Sequence, residues 1–211
     1  MNARTIVVDF DGTITEQDIL QSLAFEFGNP EVVRSLDKAL DEGQITLRDE
    51  ITGEYATVRA PLDEVVQHVV QNTRVRAGFR RFVELAHERG WRILIVSSGF
   101  HELIEPVLER EGVDVEIYAN RLDPQPDGWV VEWRYDDMCE ACGQSCKRST
   151  IKNLVSEGEI VYIGDGYSDR CAAEASDRVF ATRGLASYLD QRGVPYERFD
   201  DFHDITRSLA S

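Results

Sequence analysis

The chain has 211 residues, 42% apolar and 29% charged, enough for one α/β domain plus a modest second unit. Its 39 acidic against 23 basic residues leave a formal charge of −16, which repels nucleic acid and anionic lipid and excludes a polynucleotide or membrane-surface partner. No apolar run reaches the roughly 20 residues of a membrane span, and the opening MNARTIVVDF lacks a secretory signal, so a cytoplasmic protein is expected.

In chain order, the first β-rich run is 5–9 (TIVVD), which stops at Asp9-Phe10-Asp11-Gly12-Thr13. Four helical patterns follow, at 16–27, 30–41, 46–58 and 62–72, punctuated by Asn29-Pro30, Gly43 and Ala60-Pro61. Further strands at 92–97, 113–118, 160–163 and 178–181 alternate with helical spacings such as Phe79, Phe82, Val83 and Leu103, Ile104, Val107. Alternation of this kind predicts an α/β fold, a doubly wound and mostly parallel sheet buried on both faces. The strandless stretch 16–74 reads as an inserted helical cap, with 1–15 and 75–211 forming the core, and LDPQPDGWVVEW reads as a small hairpin.

Ligands of open α/β sheets bind at the carboxyl ends of the strands, where Asp9 sits. Asp11, two residues on, points to the same side of an extended backbone, and Gly12-Thr13 allows a turn whose N–H groups can face an anion. Two buried like charges call for a cation, and hard oxygen ligands favour Mg2+. A capping turn is the bland alternative. A calcium loop fails, because Ile14 and Leu20 stand where glycine and glutamate would be required. Two other strands end in related chemistry: Ser97-Ser98-Gly99 after ILIV, and Gly164-Asp165-Gly166-Tyr167-Ser168-Asp169 after IVYI. Lys147, one of only three lysines, opens a predicted helix, a favourable place for a phosphate, although a chance surface lysine is the alternative.

Asp9-Phe10-Asp11-Gly12-Thr13, Ser97, Lys147 and Gly164 to Asp169 together resemble the four ordered motifs of the haloacid-dehalogenase-like phosphatases, and the helical insert resembles the cap of their phosphoserine-phosphatase-like branch. The resemblance implies that Asp9 is the nucleophile, forming an aspartyl phosphate, and that Asp11 protonates the leaving group and then activates water. It implies Ser97 and Lys147 as catalytic partners on the phosphoryl oxygens, with Gly12, Thr13, Ser98 and Gly99 facing the phosphate. Magnesium would be held by Asp9, the main-chain carbonyl of Asp11 and Asp165, with Asp169 nearby or acting through water. The resemblance also implies a small phosphorylated metabolite as the substrate class. A phosphoacceptor module like a receiver domain is the non-enzyme alternative, disfavoured by Asp11, which is placed to destroy an aspartyl phosphate.

Within the branch, CGQSCKRSTI, EGQITLRDEI and PYERFDDFHDI look like the methionine-salvage phosphatases. Asp18 and Arg48 fall where phosphoserine phosphatases place an ammonium-facing acid and a carboxylate-binding arginine; as alternatives, both are ordinary solvated cap residues. Cys139, Cys142 and Cys146 can share a zinc ion with a nearby acid or histidine, stay reduced, or pair locally, whereas Cys171 stands apart. His101 faces either the substrate or a helix surface, and His68, His87 and His203 show no ligand spacing.

Overall fold

The apolar runs that end in acids become the middle of a seven-stranded sheet. The structure, a computed structural model, describes residues 4–134 and 137–210, so positions 1–3, 135–136 and 211 of the expected core lie outside the described residues. The strands are β1 (Arg4–Val8), β2 (Arg92–Phe100), β3 (Glu116–Asp123), β4 (Val130–Glu132), β5 (Glu159–Gly164), β6 (Arg178–Ala181) and β7 (Glu197–Arg198), in the order β4-β3-β2-β1-β5-β6-β7. Every pairing is parallel except β3 with β4, the predicted hairpin, in which Leu122 faces Val131. β1 is therefore central, and its Ile6, Val7 and Val8 are fully buried between helical layers.

Helices on both faces complete the core: α5 (Phe79–Glu88), α6 (His101–Glu111), α7 (Lys147–Leu154), the short α8 (Arg170–Ala173), α9 (Arg183–Arg192) and α10 (Phe202–Ala210). Between β1 and α5 lie four helices numbered ahead of them in the chain, α1 (Ile19–Phe27), α2 (Pro30–Asp41), α3 (Leu47–Tyr55) and α4 (Leu62–Asn72). Their ends follow from local chemistry. Asp18 caps α1 by accepting from Gln21 N; Asn29 caps α2 ahead of Pro30; Thr46 and Asp49 form a capping box on α3. The segment enters and leaves through one neck, an antiparallel bridge between Thr15 and Val75 with Glu16 N donating to the Arg74 carbonyl at 2.9 Å.

The hairpin ties this helical segment to the sheet. Trp129 is buried against Tyr55, donates its indole N–H to the Ala60 carbonyl at 3.1 Å, and its backbone N–H bonds the Tyr55 carbonyl. Gly128, at φ 134°, is required there, since a Cβ would strike the Ala56 carbonyl.

Two strands depart from expectation for visible reasons. β3 begins at Glu116 rather than 113, because Val113 N closes the end of α6 on the Leu108 carbonyl. β2 runs on to Phe100 because its pairing with β3 resumes, through a register shift after Val96, at Phe100 and Asn120. β7, two residues long, is too short to announce itself by pattern. Among the described residues no helix is long and apolar enough to cross a membrane.

Candidate active site

Asp9 leaves β1 still tied to the sheet, its N–H donating to Ile163 O of β5 at 2.9 Å. The chain then turns through Gly12 at φ 78°, where a Cβ would collide with the Asp165 carboxylate, so glycine lets two strand ends approach. Arg76 holds this turn from outside, donating to the carbonyls of Thr13 (2.9 Å), Gly12 (2.8 Å) and Asp200 (2.8 Å).

Lys147, at the start of α7, is buried and reaches across to Asp9 Oδ1 and, at 2.7 Å, to Asp169 Oδ1. Burial alone would lower its ammonium, but Asp169 and Asp9 hold it well above its ordinary value, so it stays charged. Asp169 is saturated: Oδ1 also accepts from Tyr162 OH at 2.6 Å, and Oδ2 accepts the amides of Asp165 and Gly166, both at 2.9 Å. Its carboxylate thus shapes the 164–169 loop and fixes the lysine. Thr13 Oγ1 donates to Asp165 Oδ1 at 3.2 Å, and Arg183 approaches Asp165 Oδ2 at 3.4 Å.

On the other side, Ser97 Oγ donates to Asp11 Oδ2 at 3.3 Å and accepts from Gly99 N at 2.8 Å. A Cβ at Gly99 would sit 2.9 Å from Asp11 Oδ2, so this glycine leaves room for the carboxylate. Burial, then the charge of Asp18, pushes Asp11 up to about 7, against the lowering effect of Lys147 and the Ser97 hydroxyl. Burial, then Asp169, raises Asp9 well above the usual carboxylate range and Asp165 to about 6.

The site concentrates more negative charge than Lys147 and Arg183 offset. Carboxylate oxygens of Asp9, Asp165 and Asp169 lie within 4.8 Å of one another. With Asp169 committed to its four donors, Asp9 and Asp165 are the carboxylates fitted to a divalent cation, and an all-oxygen donor set suits magnesium.

Several expectations need correction. The Gly12 amide is not turned to an anion: it donates to Gln17 O and Thr15 Oγ1, both at 3.0 Å. The Gly99 amide is likewise spent on Ser97, and Thr13 points its hydroxyl at Asp165. Ser98 borders the cavity, while its carbonyl accepts from Asn120. His101 is neither a surface residue nor free to meet a substrate; it is buried with Nδ1 2.7 Å from Glu105 and Nε2 2.9 Å from Arg134. Arg76 and Arg183, unremarkable in sequence among 20 arginines, both serve the site.

A cavity of about 360 Å³ joins Asp9 and Asp11 to the helical segment through Asp18, Glu50, Glu54 and Ser98. A neighbouring cavity of about 560 Å³, sharing Ser98 with the first, is bordered by Ser97, Lys147, Arg48 and Trp133. Asp18 combines this lining position with capping of α1. Arg48 lies 4.9 Å over the Trp133 ring. Burial, then mutual repulsion with neighbouring acids, pushes Glu50 to about 7 and Glu54 to about 8.

Known proteins share both the fold and the chain length. The chain is 27% identical over 208 residues, 97% of its length and 94% of the relative's, to a 2-hydroxy-3-keto-5-methylthiopentenyl-1-phosphate phosphatase of Bacillus thuringiensis (strain Al Hakam). A phospho-aspartyl intermediate analogue of phosphoserine phosphatase superposes with a TM-score of 0.75 at 20% identity, covering 99% of both chains. Phosphoserine phosphatase from T. onnurineus superposes at 0.70 and 20% identity, covering 97% of this chain and 92% of that one. The model of the haloacid dehalogenase-like hydrolases matches residues 6–174, a span that contains Asp9, Ser97, Lys147 and Asp169; the chain belongs to that family.

Proposed function

We propose that this hydrolase is a magnesium-dependent phosphomonoesterase working through Asp9. The observation that carries the reading is the convergence of Asp9, Asp11, Ser97 and Lys147 at the carboxyl ends of adjacent strands. With Oδ1 engaged by Lys147, Asp9 presents Oδ2 to phosphorus; an Asp9–phosphorus bond forms as the ester P–O bond breaks. Asp11, with a pKa of about 7, gives its proton to the departing oxygen. Asp11 then takes a proton from water attacking the aspartyl phosphate, releasing phosphate and restoring Asp9. Lys147 and Ser97 meet the negative charge of the phosphoryl oxygens. Magnesium, held by Asp9, the Asp11 carbonyl and Asp165, would supply charge neutralisation when bound.

For the substrate we favour a keto-bearing ester of the kind named for the Bacillus relative, in the cytoplasm. Full-length similarity supports it, as does a lining in which Glu50 and Glu54 retain protons near neutral pH and can donate to carbonyl or hydroxyl oxygens. Phosphoserine is the second reading, favoured by Asp18 beside Asp11 as an ammonium partner and by Arg48 on the adjoining cavity. A panel of phosphate esters with and without magnesium tests both. The expected outcome is metal-dependent turnover, highest kcat/KM on the methylthiopentenyl ester, and loss of roughly a thousandfold in Asp9→Asn. Preference for phosphoserine would overturn the substrate, and unaltered turnover in Asp9→Asn would overturn the mechanism.

A further inference from the structure

Cys171, isolated in sequence, is brought by the fold to the other three cysteines. The Sγ atoms of Cys139, Cys142, Cys146 and Cys171 all lie within 4.8 Å of one another, and all four thiols are free. The Cys139–Cys171 separation is 3.7 Å. Zinc–thiolate bonds of about 2.3 Å in a tetrahedron place sulfurs about 3.8 Å apart, the spacing of the Cys139–Cys171 pair and within the 4.8 Å that encloses all four. We propose that these four cysteines form a structural zinc site, separate from the catalytic carboxylates.

The local backbone suits the assignment. Met138 and Ser145 pair across an antiparallel bridge, Cys139 N donates to Gln144 O at 2.9 Å, and Gly143 at φ 69° closes the turn with its N–H on Cys139 O. This knuckle presents Cys139 and Cys142 from one side. Cys146 caps α7 and Cys171 lies in α8, supplying the remaining two corners. Four protein sulfurs leave no open position, the arrangement of a structural rather than a catalytic zinc.

Placement gives the metal a purpose. Cys146 immediately precedes Lys147, and Cys171 lies two residues past Asp169, the two residues whose ion pair steadies Asp9. Zinc would tie the 138–146 turn to α8 and fix the segments from which Lys147 and Asp169 project. Since a metal that binds only the folded chain stabilises it, unloading should lower the melting temperature and open the turn to protease.

The test is metal analysis of protein purified without chelator, combined with native thiol titration and cobalt substitution. The expected result is about one zinc per chain, thiols shielded until metal is stripped, and a cobalt spectrum with thiolate charge-transfer and intense tetrahedral bands. Cys142 is exposed, so Cys142→Ser should fold regardless; it and Cys171→Ser should each weaken zinc retention at least roughly tenfold. Asp9→Asn should leave zinc content unchanged. Recovery of a disulfide by mass spectrometry, four reactive thiols before any stripping, or zinc retention in the cysteine variants equal to that of the unaltered protein would overturn the site.

Discussion

Replacing Lys147 with Met keeps an unbranched side chain one atom shorter and removes its charge, leaving Asp9 and Asp169 facing each other. The lysine, Asp9 and Asp169 side chains are 4%, 5% and 1% exposed, so water cannot take over the lost ammonium. Each hydrogen bond to a charged group contributes roughly 1.5–3 kcal/mol, and two are lost. That agrees with the roughly 3–5 kcal/mol usual for breaking a buried pair by removing one partner, a large share of a domain's stability. Urea unfolding across pH measures it. The native protein holds Asp9 above the carboxylate range despite Lys147; without Lys147 it rises further. Protonation then relieves the repulsion, so the deficit of Lys147→Met should grow as pH rises and Asp9 ionises, and narrow as pH falls. Phosphatase activity at neutral pH should fall roughly a thousandfold. An unchanged urea midpoint at pH 7, or a deficit independent of pH, would refute the reasoning.

Glu54→Gln should flatten the pH dependence of stability. A folded pKa of about 8 against an ordinary 4.5 means that the protonated carboxyl contributes fully below about 4.5 and that the contribution is lost as pH rises through 8; the amide removes a slope on the order of 3 kcal/mol, read from urea melts between pH 5 and 8. Trp129→Ala should cost about 3–5 kcal/mol, because it empties a buried site and strands the Ala60 carbonyl, as thermal unfolding will show. Arg48→Ala distinguishes the substrates: a loss of roughly tenfold or more in kcat/KM on phosphoserine alone marks carboxylate recognition, whereas equal small losses on all esters mark a residue that packs on Trp133.

Residues whose role follows from where a strand stops were legible. TIVVD, ILIV and IVYI are apolar enough to be central strands, and a topology of that kind sends their ends to one edge, so Asp9, Ser97 and Asp165 had to be neighbours. Roles set by long-range geometry were not. Arg76 acts on backbone carbonyls 63 and 64 residues away, and no local pattern separates it from other arginines. The Gly12 amide looked available because the turn's own partner, Gln17 O, lies beyond the motif. Cys171 looked solitary because its partners come from a turn more than twenty residues earlier, joined only when α8 packs on α7.

The two acidic groupings of this chain respond to the same burial in different ways, and the difference separates catalysis from recognition. Around Asp9, burial and repulsion from Asp169 raise the carboxyl against the opposing ammonium of Lys147, while Asp11, held at about 7, can store a proton and release it. In the helical segment, Glu50 and Glu54 lie among Asp37 and Asp18, so burial and repulsion act together and protons are retained at ordinary pH. A cation entering with the substrate would reverse that balance, ionising these carboxyls and releasing protons. An uncharged polar substrate would leave them as donors. Proton release on ligand binding, measured at pH 7 in buffers of different ionisation enthalpy, therefore separates an amine-bearing ester from a keto-bearing one without reference to turnover.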